Sequence, residues 1–180
     1  MSVERKITIF AESSNTIFKI MKRIIMLAVM ALTLGLASQA QEVKTYENKA
    51  FSFDYPADWE VTWDSETFMN LANADGDIRF DISFNEEGPT KEQLQQCVDN
   101  WVYMKESKGY EVDQKLVKDD YALVRSIETD EDDGTQTVVV WFIMISTEPQ
   151  CFCGTMNSDY KHANEALDAL VNMLATLSPK

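Results

Sequence analysis

From residue 50 onward, polar and apolar positions fall into short alternating runs, interrupted twice by a helical period. Residues 50–55 (AFSFDY) put Phe51, Phe53 and Tyr55 on one side of a strand. Pro56, which has no ladder donor, is expected to end it. Residues 59–63 (WEVTW) resume the alternation, with Trp59, Val61 and Trp63 together on one side. A third strand is expected near residues 67–71. Asp75-Gly76-Asp77 marks a hairpin turn before residues 78–84 (IRFDISF), where Ile78, Phe80, Ile82 and Phe84 point inward.

The period then lengthens. Thr90 and Gln93 have the spacing of a capping box, and Leu94, Cys97, Val98, Trp101 and Met104 form a helical stripe that ends near Gly109. Strands are expected again at 110–117 and 121–129. An acidic turn, Asp130 to Gly134, follows and leads into residues 137–145 (TVVVWFIMI). That run is apolar at both parities, as in a strand covered on both faces. A short strand at 151–156 precedes a last helix opening near Asp159, with Ala163, Ala166, Leu167, Leu170, Val171, Leu174 and Leu177 as its stripe. The pattern predicts an α+β fold with an antiparallel sheet of about six or seven strands. One helix on each face, an α/β/α sandwich, accounts best for the doubly apolar strand; both helices on one face is the alternative.

Ahead of this domain lies a secretory pattern. Met21-Lys22-Arg23 is a basic start, and residues 24–36 are thirteen positions without a charge. Ser38 and Ala40 are small residues placed for cleavage between Ala40 and Gln41. A helix of that length reaches only about 20 Å, short of the roughly 30 Å hydrocarbon core, so a lasting membrane anchor is not expected. The chain therefore divides into residues 1–20, a non-native upstream extension; residues 21–40, a signal peptide; and residues 41–180, a single domain, periplasmic or secreted.

Cleavage sharpens the charge. Residues 41–180 hold 28 acidic and 11 basic side chains, a net −17, where the whole chain carries −14. Such a surface repels phosphate backbones and anionic headgroups, which argues against nucleic acid and peripheral membrane as partners.

Residues 51–61 (FSFDYPADWEV) resemble the opening of PsbP-like proteins, where an aromatic strand, a Tyr-Pro turn and a Trp-led strand recur. The later order, a mid-chain helix, a long antiparallel set and a C-terminal helix ending in Leu177-Ser178, is similar too. The resemblance spans residues 44–178 and implies the α/β/α sandwich of that family, which includes bacterial periplasmic DcrB-type proteins. It also implies an accessory, non-catalytic role. It transfers no functional residue, since the metal contacts of the photosystem member are histidines and this chain has only His162.

Catalytic chemistry finds little support. Cys151 and Cys153 share one face of a strand, and Cys97 lies on the apolar stripe of the first helix. Two readings stand: a disulfide joining Cys97 to one of them, as export permits, or three core thiols. C-x-C on a strand is not the C-x-x-C arrangement that activates a thiol. Asp130 to Asp133 lack the spacing of a calcium loop and read as a solvated hairpin tip. His162, in the first turn of the last helix, has no nucleophile motif for company. Trp59, Trp63, Trp101 and Trp141 fall on positions expected to pack, whereas exposure near Tyr46, Phe68 or Tyr160 would mark a partner surface. No catalytic residue, cofactor or metal site is assigned. The expected function is an exported accessory protein that binds an unknown protein or small molecule. The alternatives are a carboxylate-dependent extracytoplasmic hydrolase and, further off, a thiol-redox or metal-handling protein.

Overall fold

In the computed structural model, which describes residues 42–180, aromatic alternation at the start of the domain builds a small sheet of its own. Strand β2 (Phe51–Pro56) pairs on one side with β1 (Val43–Glu47) and on the other with β10 (Ser178–Pro179). Strand β1 carries too few apolar residues to be foreseen, since only Tyr46 is buried along it. Pro56 sits inside β2 rather than after it, at the strand's last position opposite Val43. The expected signal segment and its cleavage point at Ala40 and Gln41 lie outside the described residues.

A second, seven-stranded sheet is antiparallel throughout. Its members are β3 (Glu60–Asp64), β4 (Phe68–Ala72), β5 (Ile78–Asn85), β6 (Glu111–Val117), β7 (Tyr121–Thr129), β8 (Gln136–Thr147) and β9 (Gln150–Asp159). They lie in the order β3-β4-β5-β9-β8-β7-β6. Helix α1 (Leu94–Glu106) carries the chain from the middle of this sheet to its far edge. From there β6 to β9 return by hairpins to pair with β5. Strand β9 is longer than its apolar segment because it continues through Asn157 and Ser158 along β5 and β8.

The double apolarity of β8 has the anticipated cause. Val138, Val140, Phe142 and Met144 face one core, together with Phe51, Phe53, Trp59, Phe80 and Phe152. Helix α2 (Ala163–Thr176) closes that core with Ala166, Ala169, Leu170 and Met173. Ile143 and Ile145, of opposite parity, face a second core with Ala122, Val124, Cys151 and the α1 residues Leu94, Val98 and Val102. One helix therefore lies on each face of the large sheet, and the small sheet shares the α2 face. Among the described residues no helix is long and apolar enough to cross a membrane.

The helix starts differ from expectation in a common way. Each is preceded by a short 3-10 turn, Lys91–Gln93 and Tyr160–His162, that takes up the first polar residues. The Thr90 N–H donates to Gln93 Oε1 at 2.9 Å, as a capping box requires, but it caps the 3-10 turn. On α2 the buried stripe uses Ala169 and Met173, while Leu167 and Val171 are only half-buried.

At Gly154 the β5 and β9 backbones approach so closely that a Cβ would stand 1.9 Å from the Asp81 carbonyl oxygen. That contact is backbone and cannot swing aside. Gly154→Ala is expected to cost about 3 kcal/mol, lowering Tm by roughly 10 °C in a thermal melt; an unchanged Tm would contradict the close approach.

Candidate binding face

Helix α1 packs chiefly on β6 and β7, and its apolar stripe reaches β8 and β9 through Ile143, Ile145 and Cys151. It leaves the β4–β5 half of the same face without a helix. Apart from Phe68 and Ala72 of β4, the pleat positions of β4 and β5 on that side are polar, half-buried except for the exposed Arg79: Asn70 on β4 and Arg79, Asp81, Ser83 and Asn85 on β5, with Thr155 and Asn157 beside them on β9. Cross-strand register sets them side by side. Asn70 faces Asp81, Asp81 faces Thr155, and Thr155 faces Trp141 of β8.

These side chains are fixed by one another. Asn70 Nδ2 donates to Asp81 Oδ1. Thr155 Oγ1 donates to Asp81 Oδ2 at 3.2 Å, and Asn157 Nδ2 donates to Thr155 Oγ1 at 2.9 Å. Both oxygens of the half-buried Asp81 are thereby engaged. The ladder leaves the amide oxygens of Asn70 and Asn157 and one N–H of each free of its internal bonds.

Trp63 belongs to this face and not to the core. Val61 pairs with Leu71 and Trp63 with Asn70, so Thr62 is the extra residue of a β-bulge. A bulge shifts the pleat by one, which carries Trp63 to the side opposite Trp59 and Val61. Its indole is 60% exposed, with its ring centroid 5.1 Å from that of Phe68. The expectation that Trp63 shares one side with Trp59 and Val61 is corrected on this ground. Trp59, by contrast, is buried in the main core.

At the opposite border Trp101 of α1 stacks on Trp141, with centroids 5.2 Å apart and planes within 14°. Lys105 lies 4.9 Å from the Trp101 centroid and pairs with Glu128 of β7, which explains a lysine on a buried helical stripe. Trp101 Nε1 is buried without a hydrogen-bond partner.

The cysteines flank this border. Cys97, Cys151 and Cys153 come to the α1 side of the sheet as free thiols. Burial, helped by the proximity of Cys153 and Cys97, pushes the Cys151 thiol up to about 11. Burial also raises Cys153, opposed by the Asn85 Nδ2 hydrogen bond to its sulfur at 3.2 Å, and burial raises Cys97. All three shifts run away from thiolate formation and against nucleophilic use.

The remaining candidates lie elsewhere. Asp130 and Asp133 accept the backbone N–H groups of Asp132 and Thr135, each at 2.8 Å, so these carboxylates are occupied in fastening their own turn. The Asp133 carboxyl is held low by Thr135, through its side-chain hydroxyl first and its backbone N–H second. His162 lies between Asp77, 3.2 Å from Nε2, and Glu165, 3.1 Å from Nδ1, and ties the β4–β5 turn to the start of α2. Burial raises the Asp120 carboxyl at the β6–β7 turn, where Lys91 opposes it. Tyr46 is buried in the main core, while Tyr160 is exposed. Among the described residues no group of three or more His, Cys, Asp or Glu side chains is arranged to hold a metal ion.

No protein-family profile and no curated protein sequence matches the chain. Solved structures do. The Ran-binding protein Mog1p of Saccharomyces cerevisiae superposes with a TM-score of 0.58 at 13% identity, over 77% of this chain and 96% of that one. PsbP of the cyanobacterium Synechocystis (CyanoP) gives 0.51 at 11% identity, over 82% and 99%. At such identities the likeness is one of fold: the chain has the α/β/α architecture of PsbP and Mog1.

In the reduced protein at pH 8, iodoacetamide is expected to reach Cys151 only after unfolding, as peptide mass mapping would read; prompt labelling of the native chain would contradict the burial. Glu128→Ala is expected to cost on the order of 2 kcal/mol, below the roughly 3–5 kcal/mol of a fully buried pair, because its carboxylate keeps some contact with water. The exposed Glu66, paired with Lys49, serves as control, and Glu66→Ala should leave the denaturation midpoint unchanged.

Proposed function

We propose that the mature chain is an exported, non-catalytic accessory protein that binds its ligand or partner on the uncovered half of the α1 face. The observation that carries this reading is the Asn70–Asp81–Thr155–Asn157 ladder. It is held in advance of any ligand, is bordered by aromatic rings, and lacks the parts of a hydrolytic centre. Asp81 is the one carboxylate in that set, and its oxygens are engaged, where a glycosidase needs two convergent acids. The likeness to Mog1p, named a Ran-binding protein, supports a binding role by analogy of fold alone. A kinship with DcrB-type periplasmic proteins belongs to the same proposal, as does export itself.

The cysteines fit that setting. In an oxidising compartment Cys97 joined to Cys151 or Cys153 would tie α1 to β9 and fix the border of the face.

Native mass spectrometry of the protein from its host's envelope fraction tests this reading. The expected species begins at Gln41 and carries a ligand or partner in whole-number ratio. Its chain mass is lower by one H2 if the disulfide is present. A chain retaining residues 1–40, or one that turns over a substrate by itself, would overturn the proposal.

A further inference from the structure

Trp63 is costly to explain as packing. A large indole stands 60% exposed, and a β-bulge is what brings it to that face. Bulges often re-aim a side chain beside a functional site. Phe68 of the adjacent strand meets the ring at a tilt, 5.1 Å between centroids, and leaves it exposed. Across the sheet from Trp63, the same register row runs through Asn70, Asp81 and Thr155 to Trp141, itself stacked on Trp101. The two aromatic borders are four strand spacings apart, about 19 Å at ~4.8 Å per strand. Between them lies a floor of amides, a hydroxyl and a carboxylate in fixed orientation, with the exposed Arg79 beside it.

We propose that this row binds a neutral oligosaccharide laid across the strands, with Trp63 at one end and Trp141, backed by Trp101, at the other as the rings it stacks on. The proposal rests on the reading of this face as the ligand site and names the ligand class. Three features select it. A pyranose offers an apolar C–H face that stacks on an indole and an edge of hydroxyls that donate and accept together. The free amide oxygens and N–H groups of Asn70 and Asn157 match such an edge. The distance between the platforms calls for several linked rings. Charge decides the rest: residues 41–180 carry −17, so uronates, sulfated sugars and nucleic acid are repelled, and their recognition would need a basic groove. An apolar peptide or lipid would leave the amide ladder unpaired beneath it.

The test is titration of the purified chain with neutral cello-, xylo-, manno- and malto-hexaoses, read by tryptophan fluorescence and calorimetry, with oligogalacturonate as the anionic comparison. At least one neutral hexaose is expected to bind, and oligogalacturonate is not. Trp63→Ala should weaken binding at least tenfold with Tm unchanged, since the ring lies outside the core. Trp63→Phe should restore part of the loss. Tyr103→Ala, on the exposed side of α1, should have no effect. No binding by any neutral hexaose, preference for the anionic one, or full affinity in Trp63→Ala would each overturn the proposal. Crosslinking of the envelope-derived ligand or partner separates the two levels. Attachment at this face with no sugar binding sinks the saccharide alone, and attachment elsewhere sinks the site with it.

Discussion

The pairing of β5 with β9 is the contact on which the rest of the fold turns. Strand β5 is made before the crossover helix, and β9 is the last strand of the large sheet, so their union joins the early hairpins to the late ones. At Gly154 the two backbones come closer than any Cβ allows, and the same register sets Asp81 against Thr155. On the other face it sets Phe84 beside Phe152, with ring centroids 5.2 Å apart. One pairing thus builds part of the aromatic core below and the polar ladder above.

The two faces of the sheet are covered to different extents. The α2 face is sealed by a helix and by the small sheet, whose Phe51 and Phe53 meet Phe152 and Phe80 edge-on. The α1 face is sealed over only part of its width. The Trp101–Trp141 stack on β8 and the packing of Cys151 of β9 in the α1 core mark the boundary, because they are the contacts of α1 farthest toward β5. Beyond that line polar side chains satisfy one another, and the face needs no cover to be stable.

Period explains what was legible. Residues 78–84 and 137–145 alternate cleanly, so β5, β8 and the placement of a helix on each face followed from the sequence. Strand β1 and the 3-10 turns ahead of both helices did not, since they bury almost nothing. Trp63 was misplaced because a one-residue bulge inverts the parity on which the expectation depended. The ladder was invisible for another reason. Asn70, Asp81 and Thr155 each look like an ordinary outward position, and only the order β4-β5-β9 brings them into one row.

Hydroxyl-radical footprinting of the native protein tests the half-covered face most directly, because its tryptophans sample every environment in question. The account predicts heavy oxidation at Trp63, none at Trp59, and intermediate labelling at Trp101 and Trp141. Protection of Trp63 to the level of Trp59 would mean that the face is covered after all. Labelling of Trp101 and Trp141 as strong as that of Trp63 would mean that α1 does not hold the boundary, and the account would fail.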